Sequence, residues 1–380
     1  MDAAPREAAP RHVAPIPESR AAARHAGLNY TSDEQPGIRR RKAGKGFSYV
    51  APNGRTIADA TASRRIKKLA VPPAWTEVWI SPDPDGHLQA TGRDARGRKQ
   101  YRYHADFRAI REDGKYEHML DFVAALPTIR ATVARHMARR DLSRECVLAT
   151  VVHLLETTLI RVGNGEYAKR NKSYGLTTLK DPHVRIEGSA IRFQFVGKSG
   201  KSWRLQVNDR RVAKIVRACQ ELPGQQLFQY LDAEGNRQGV TSSDVNAYLR
   251  EIAGGDVTAK DFRTWAGTVL AAVALQEFSE IDSEAKAKRN LKAAIERVAS
   301  RLGNTATICR KCYIHPEIIN GYLVGDLALN LKAAIDGTLA RKLPGLKAEE
   351  AAVLVLLERR LKTSLADKLK ASLASHKTAA

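Results

Sequence analysis

The sequence predicts an α+β protein in which a small β-rich N-terminal domain precedes a larger, mainly α-helical domain that contains one β-hairpin. Short apolar segments separated by Pro, Gly and Asn turns occupy residues 27–115. From Tyr116 onward, apolar residues recur at helical spacing. A chain of 380 residues is long enough for two or three domains, each with its own core. We therefore divide it into a tail at 1–26, the two domains at 27–115 and 116–316, and a helical extension at 317–380.

Residues 1–26 are rich in Ala, Pro and Arg and contain no apolar stretch of the kind that forms a signal peptide. Prolines that would interrupt a helix stand at Pro5, Pro10, Pro15 and Pro17. We predict a disordered basic tail. A transit peptide is the alternative, but such peptides are amphipathic and poor in acidic residues, whereas this segment carries Glu7 and Glu18.

Short strands are predicted for the N-terminal domain at Phe47–Val50, Val78–Ile80 and His87–Thr91, where β-branched and aromatic residues lie between turn residues. Ser63–Leu69 favours a short basic helix between the first two of these strands. The next segment, Gly92–Tyr103, interleaves cations with aromatic residues and one amide. Such a segment can place cations on phosphates, an amide on a base edge and tyrosines against bases or sugars. A solvated basic strand is the alternative interpretation.

One β-hairpin interrupts the helical domain at Ala190–Val207, because alternation of apolar and polar residues continues on both sides of a Gly turn. Lys198 lies at the tip of this hairpin. Beyond Pro316, two further helical stretches are predicted at about 317–341 and 347–373, separated by a Pro-Gly break.

The charge balance indicates a polyanionic partner. Lys and Arg number 63 against 41 Asp and Glu, which gives a formal net charge of +22 and a pI near 10.0. Nucleic acid is the first expectation for such an excess. A membrane surface is the second, but the chain has no run of 18 apolar residues. We also find no Walker-type Gly-rich loop and no carboxylate cluster suited to two Mg²⁺ ions.

Cysteine usage favours a reducing, cytoplasmic setting, since the four cysteines are too few and too dispersed for a disulfide framework. They are Cys146, Cys219, Cys309 and Cys312. The last two form a Cys-x-x-Cys pair without a second pair to complete four zinc ligands. We interpret them as helix-packing residues.

In the stretch Leu302–Pro316, a tyrosine follows a predicted break between two helices. Gly303 can end one helix, and Asn304 or Thr305 can begin the next. The second helix would bury one face that contains Ile308, Cys309 and Cys312. Tyr313 would lie off that face. A tyrosine among cations can attack phosphorus, although a tyrosine that only packs the helix end is the alternative.

Five dispersed positions, taken in order, resemble the type IB DNA topoisomerases, specifically the compact poxvirus-like form also found in bacteria. The matches are Arg161 in Arg-Val-Gly-Asn, Lys198 in Phe-Val-Gly-Lys, Arg263 in Lys-Asp-Phe-Arg-Thr, Asn304, and Tyr313 nine residues later. The segment Gly92–Tyr103 agrees as well, and the resemblance runs from about Gly27 to Pro316. The best-known members of the family carry histidine where this chain has Asn304.

The resemblance implies a topoisomerase IB/tyrosine recombinase-like fold that closes on DNA as a clamp, and a 3′-phosphotyrosyl intermediate formed by Tyr313. Arg161, Arg263 and Asn304 would stabilise the pentacoordinate phosphorane. Lys198 would protonate the departing 5′ oxygen, which is a very poor leaving group as an alkoxide. No metal, nucleotide or other cofactor is expected, and the expected partner is duplex DNA, bound by a monomer at the nucleoid in the cytoplasm.

The resemblance also implies contacts with DNA away from the reacting phosphate. Gln100, Tyr101 and Tyr103 would read the major groove. Tyr167 and Thr178 would contact DNA beside the cleavage site, and Lys260 would contact a base or phosphate in the minor groove.

Two other functions remain open from the sequence. A tyrosine recombinase or integrase shares the same reacting groups and chemistry. Recombinases, however, carry a His-x-x-Arg motif where this chain has Lys260-Asp261-Phe262-Arg263, and they usually have a helical N-terminal domain. A non-enzymatic DNA-binding protein would explain the charge. It would not explain why two arginines, a hairpin lysine and a tyrosine occur in this order.

Overall fold

The computed structural model describes residues 17–139, 141–278, 283–327 and 343–362. Contacts within the chain divide it into two compact units, Met1–Glu117 and His118–Ala380. The division falls inside a long helix, α3 (Ala105–Met137). The first unit is rich in strands and the second is mainly helical, so the predicted α+β fold class is confirmed.

The first unit builds a five-stranded antiparallel sheet with the strand order β2-β1-β3-β4-β5. Its described elements are α1 (Pro17–His25), β1 (Ile38–Ala43), β2 (Gly46–Val50), α2 (Ala60–Lys68), β3 (Thr76–Ile80), β4 (Leu88–Arg93) and β5 (Lys99–Tyr103). One side of the sheet packs on α2 through a cluster of apolar side chains, which are Ile38, Ile66, Val78, Ile80 and Ala90. The three predicted short strands are therefore present as β2, β3 and β4. Strand β5 lies at the edge of the sheet.

Two elements of the first unit differ from the prediction. Strand β1 was missed because Arg39–Lys42 is a run of cations, yet β1 pairs with both β2 and β3. Helix α1 lies in the segment for which we predicted a disordered tail. Pro17 stands at its first position, where a missing N–H costs nothing, and Ala23 is buried. Residues 1–16 lie outside the described part of the chain.

The second unit is organised around two buried helices, α4 (Arg144–Thr158) and α8 (Ala259–Gln276). The other described helices are α5 (Gly165–Asn171), α6 (Arg210–Glu221), α7 (Ser242–Ala253), α9 (Glu284–Leu302), α10 (Ala306–Tyr313), α11 (Pro316–Leu323) and α12 (348–362). The described strands are β6 (Val184–Glu187), β7 (Ala190–Val196), β8 (Ser202–Asn208), β9 (Gln229–Leu231) and β10 (Arg237–Gly239). Helix α8 packs against α9, α10 and α11 on one side and against α4 and α7 on the other.

The hairpin predicted at Ala190–Val207 is confirmed. Strands β7 and β8 pair in antiparallel register, with Phe195 opposite Trp203 and Val196 opposite Ser202. Apolar residues of β7 alternate into the core, and Lys198–Gly200 forms the turn as a short 3-10 helix. This turn puts Lys198 at the tip of the hairpin.

The helices after Tyr313 are arranged differently from the prediction. Helix α11 ends at Leu323 and does not continue to 341, because Gly325 turns the backbone into the left-handed region with φ +74°. Helix α12 covers the described part of the second predicted stretch, whereas 328–342 and 363–380 lie outside the described residues. Among the helices that the structure describes, none has the length and apolar character needed to cross a bilayer.

Two arginines hold α12 to the rest of the unit. Arg130 on α3 donates to Glu156 on α4 at 2.6 Å and to Glu350 on α12 at 2.8 Å. Arg360 on α12 donates to Glu317 on α11 at 2.9 Å. All five side chains are largely shielded from solvent, so these ion pairs are less screened than surface pairs. Helix α11, which follows Tyr313, is thereby anchored to α12.

Candidate active site

The turn between α9 and α10 carries Asn304. Gly303 caps α9 in the left-handed region with φ +65°, and the Asn304 N–H donates to the Ala299 carbonyl at 2.9 Å. Thr305 then begins α10, since its hydroxyl accepts a hydrogen bond from the Ile308 N–H at 3.3 Å. The side chain of Ile308 is 48% exposed, so its predicted place on the buried face is wrong. Cys309, predicted for the same face, is fully buried, and Cys312 is partly buried.

Arg161 follows α4 and reaches the same turn. Leu159 ends α4 with φ +59°, which redirects the chain toward α9. One terminal nitrogen of Arg161 donates to the Asn304 side-chain oxygen and lies 3.3 Å from the Gly303 carbonyl oxygen. The side-chain nitrogen of Asn304 therefore faces away from Arg161. It is buried and has no hydrogen-bond partner in the described part of the chain.

Arg263 lies in the first half of α8 with only 3% of its surface exposed. Its two terminal nitrogens donate to main-chain carbonyls, one to Leu159 and the other to Leu302 at 2.7 Å. The Nε atom is buried and unpaired among the described residues. Burial lowers the pKa of Arg263 to about 10, and the nearby charge of Arg161 adds to that shift. The guanidinium is still charged near neutral pH.

Tyr313 is the last residue of α10 and is half-buried. The guanidinium carbon of Arg263 lies 5.2 Å from the centre of its ring. Behind the ring, the Thr268 hydroxyl lies 3.3 Å from the Tyr313 carbonyl oxygen and accepts a hydrogen bond from the His315 N–H at 3.1 Å. The backbone that follows the tyrosine is thus tied to α8.

Gly267 allows α10 to approach α8 closely at the tyrosine. A Cβ atom on Gly267 would lie 2.5 Å from the Tyr313 carbonyl oxygen and 3.0 Å from the Tyr313 Cβ. Neither neighbour is a flexible side-chain end, so the backbone of α10 would have to move. A Gly inside a helix lowers helix stability, and here the close packing offsets that cost.

Gly267→Ala is therefore expected to displace Tyr313 and to slow the reaction that the sequence resemblance predicts for this tyrosine, single-turnover cleavage of DNA. A misplacement of about 1 Å at a reacting group costs roughly a hundredfold in rate, and partial relaxation of α10 would reduce this to at least tenfold. The matched control is Gly114→Ala on α3, where an added Cβ has no atom within 4 Å. Equal cleavage rates for the two variants would contradict the assignment.

Lys198 is exposed at the hairpin tip, and it makes no hydrogen bond or ion pair with any described residue. It is not part of the cluster formed by Arg161, Arg263, Asn304 and Tyr313. Its hairpin nevertheless contacts the turn that carries Asn304, because the indole of Trp203 on β8 packs against Gly303.

The three residues predicted to read the major groove all lie on the edge strand β5, but on two faces of it. Tyr101 and Tyr103 stack with ring centres 6.0 Å apart, and Lys99 lies 5.7 Å from the Tyr101 ring. Gln100 points to the opposite face, since side chains alternate along a strand. Its amide donates to Asp94 at 2.9 Å. An aromatic and basic surface is therefore present on one face, and a polar side chain on the other.

The remaining predicted DNA contacts lie in the second unit. Tyr167 is in the first turn of α5, and Thr178 closes a short 3-10 helix by pairing with Gly175. Thr178 also lines a cleft of about 770 Å³ whose rim carries Lys169, Lys172 and Lys180. Lys260 is exposed in the first turn of α8, three residues before Arg263. These positions lie on the same unit as the cluster.

A metal site is not apparent in the described residues, where no three His, Cys, Asp or Glu side chains meet. Cys146, Cys219 and Cys309 are buried free thiols, and burial raises the pKa of Cys309 to about 11. Cys309 packs the core, as predicted for the Cys-x-x-Cys pair, whereas Cys312 is only partly buried.

The cluster combines a phenol, two guanidinium groups and a side-chain amide whose N–H bonds are available. Guanidinium groups bind phosphate oxygens through charge-assisted hydrogen bonds. An amide adds a neutral donor. The arrangement can therefore hold a phosphodiester next to a tyrosine and stabilise additional negative charge on it.

Sequence reasoning missed three residues that shape this cluster: Gly267, Thr268 and Trp203. Gly267 carried a weak signal, because an isolated Gly within an apolar helical stretch often has a packing reason. Thr268 and Trp203 gave none, since their roles depend on contacts with residues 45 and 100 positions away.

Comparison with known proteins identifies the family. Residues 104–323 match the family model described as the catalytic core of eukaryotic DNA topoisomerase I, and residues 46–94 match the N-terminal domain of bacterial DNA topoisomerase IB. DNA topoisomerase 1B of Acanthamoeba polyphaga mimivirus is 31% identical over 285 residues, which cover 73% of this chain and 85% of the relative.

The poxvirus enzymes match over a shorter range. DNA topoisomerase 1B of vaccinia virus, strain Copenhagen, is 31% identical over 121 residues, or 31% of this chain and 37% of the relative. DNA topoisomerase I of monkeypox virus matches to the same extent. Together with the family models and the mimivirus relative, these matches assign the chain to the type IB DNA topoisomerases, isomerases that act on duplex DNA and relax it.

Proposed function

We propose that this protein relaxes supercoiled DNA through a transient 3′-phosphotyrosyl bond at Tyr313, without a metal ion or ATP. The observation that carries the proposal is the position of Arg263, which links the two ends of α10. It donates to the Leu302 carbonyl beside the Arg161–Asn304 contact at the start of α10, and its guanidinium lies 5.2 Å from the ring of Tyr313 at the end of α10. Each donor alone could serve packing. Together with the tyrosine they bring to one region the groups that a phosphoryl transfer requires.

In the proposed cleavage step, the Tyr313 oxygen bonds to phosphorus and the bond from phosphorus to the 5′ oxygen breaks. The phenol proton passes to solvent, and Lys198 protonates the departing 5′ oxygen. One phosphodiester replaces another, so the bond energy is retained and no ATP is needed for religation. Torque in the supercoiled duplex then drives rotation of the free end before the reverse step reseals the strand.

Each donor has a distinct task in this proposal. Arg263 is locked by its carbonyl partners, so its unpaired Nε and remaining N–H bonds have a fixed direction. Fixed donors stabilise developing charge without reorganisation. Arg161 orients Asn304, whose unpaired side-chain nitrogen can donate to a non-bridging phosphate oxygen. Asparagine thereby supplies the hydrogen bond that histidine supplies in the best-known relatives, but without a charge.

The family assignment supports a topoisomerase over the two alternatives. The chain matches a topoisomerase model at residues 46–94 and another at residues 104–323. The non-enzymatic interpretation leaves the clustered donors without a role. We further propose that the enzyme acts as a monomer on chromosomal DNA in the cytoplasm, since its net charge of +22 supports binding to a polyanion.

The direct test is relaxation of negatively supercoiled plasmid by the full chain in EDTA without nucleotide. The proposal predicts complete relaxation to a ladder of topoisomers, with no recombined products. A requirement for Mg²⁺ or ATP would overturn the proposed mechanism. Products joined between two plasmids would restore the recombinase interpretation.

The role of Lys198 can be tested separately. Lys198→Ala is expected to slow cleavage of ordinary DNA by about a hundredfold, because the 5′ oxygen leaves without a proton. A substrate with a 5′-bridging sulfur should be cleaved at nearly the native rate, since a thiolate leaves without protonation. The measurement is single-turnover cleavage of both substrates, with Lys201→Ala as the control on the same hairpin. Equal defects on both substrates would remove Lys198 as the general acid.

A further inference from the structure

Trp203 is wedged between two glycines that each precede a predicted active-site residue. A Cβ atom on Gly197 would lie 2.7 Å from the indole nitrogen, and a Cβ atom on Gly303 would lie 2.6 Å from the far ring of the same indole. Gly197 directly precedes Lys198, and Gly303 directly precedes Asn304. Neighbouring atoms along one edge of the indole therefore touch the hairpin tip and the turn that carries Asn304.

The hairpin tip has few other attachments. Within the described residues, its backbone is closed by hydrogen bonds from the Gly197 N–H to Lys201 at 2.8 Å and from the Gly200 N–H to Gly197 at 3.1 Å. Both bonds are internal to the turn. The side chain of Lys198 adds none. The strand before the tip is also tied to the segment after α5, since the Tyr174 N–H donates to the Val196 carbonyl at 2.8 Å. The contact of Trp203 with Gly303 joins the hairpin to the turn after α9 and so limits the direction of the tip relative to that helix.

The indole itself is well supported. Its ring stacks on Phe195 of the opposite strand with an interplanar angle of 3° and a centre distance of 6.0 Å. Phe195 is buried in the core of the unit. The Trp203 indole, which packs on the buried Phe195, can hold a neighbouring segment in place without adding charge to the site.

The contact at Gly303 is also close to the donors. The Gly303 carbonyl lies 3.3 Å from the Arg161 nitrogen that bonds to Asn304. This turn has supports of its own, because the Gly303 and Asn304 N–H groups bond to carbonyls of α9 at 3.2 and 2.9 Å. Loss of the indole should therefore loosen the hairpin tip much more than the turn.

We propose that Trp203 is a positioning residue that holds Lys198 in place against the Arg161–Asn304 end of the active site. The inference rests on the proposed function, in which Lys198 protonates the 5′ oxygen. Trp203 does not touch the reacting atoms. It determines how often the lysine at the tip is directed toward the leaving group.

The first test uses the leaving group. Trp203→Ala is expected to slow single-turnover cleavage of ordinary DNA at least tenfold, whereas cleavage of DNA with a 5′-bridging sulfur falls less than threefold. Gln206→Ala, on the same strand and exposed, should change neither rate. Trp203→Phe, which keeps an aromatic ring on Phe195, should recover part of the loss. Equal losses on both substrates, or no loss on ordinary DNA, would overturn the inference.

The second test is one double variant, compared with its two single variants on ordinary DNA. If Trp203 acts through Lys198, adding Trp203→Ala to Lys198→Ala should cause no further loss. Additive losses would overturn the inference. This comparison holds even if Lys198→Ala is not rescued by sulfur, a result that would reject the general-acid role while leaving the coupling measurable.

The third test asks whether the contact with Gly197 matters. Gly197→Ala places a methyl group against the indole and is expected to slow cleavage of ordinary DNA several-fold. Gly197 has φ −95°, so alanine causes no backbone strain there. In the Trp203→Ala background the same substitution should have no effect. A loss of equal size in both backgrounds would contradict the proposed wedge.

Discussion

Tyr313→Phe is expected to abolish both DNA relaxation and the covalent adduct with DNA, while binding to duplex DNA is retained. The substitution removes one oxygen atom and leaves the ring beneath the Arg263 guanidinium. The contacts that hold the backbone of this residue to Thr268 involve no hydroxyl of the tyrosine. The loss should therefore be chemical and not structural.

The measurement for this variant is plasmid relaxation together with a gel assay for DNA-linked protein. Tyr230→Phe is a suitable control, because this tyrosine is also half-buried but lies on β9 within the two-stranded sheet. It should relax plasmid at the native rate. Relaxation that persists in Tyr313→Phe would show that another group is the nucleophile.

Arg263→Ala is expected to have the second largest effect, with a loss of about 10² to 10³ in the cleavage rate, or roughly 2.7–4 kcal/mol of transition-state stabilisation. The substitution also leaves the carbonyls of Leu159 and Leu302 unpaired. Each unsatisfied buried group costs about 1–3 kcal/mol of stability. The rate must therefore be measured under conditions in which denaturant titration shows the variant to be folded.

Asn304→Ala should be milder, since it removes a neutral donor and not a charged one. A neutral hydrogen bond contributes about 0.5–1.5 kcal/mol, which corresponds to a loss in rate of roughly twofold to tenfold. Comparison of single-turnover cleavage rates for the two variants tests this ranking. A larger loss for Asn304→Ala than for Arg263→Ala would contradict it.

Local sequence patterns predict much of the fold of this chain. Alternation around a Gly turn was sufficient to place the hairpin and Lys198 at its tip, because two paired strands need only neighbouring sequence to be recognised. The helix break at Gly303 could also be predicted, because a glycine that ends a helix is recognised from neighbouring sequence alone. Strand β1 was missed, since its cations Arg39–Lys42 conceal a segment whose backbone pairs on both sides.

The candidate site divides in a similar way. Arg161, Lys198, Arg263, Asn304 and Tyr313 could be singled out only because their order resembles a known family. Which of them meet depends on contacts across more than a hundred residues, such as Arg161 with Asn304. The supporting residues Gly267 and Trp203 act through close approach, for which the local sequence offers at most the weak signal of an isolated Gly at position 267. Exposure of Ile308 was mispredicted because helical spacing alone does not identify which neighbours cover a face.

The central claim is that a tyrosine oxygen exchanges with a DNA oxygen at phosphorus. The most direct measurement is mass spectrometry of the protein trapped on a nicked DNA substrate, with the strand end labelled to reveal its polarity. We predict one modified residue, Tyr313, joined to the 3′ phosphate of the cleaved strand. Attachment through a 5′ phosphate, or to any other side chain, would contradict the account.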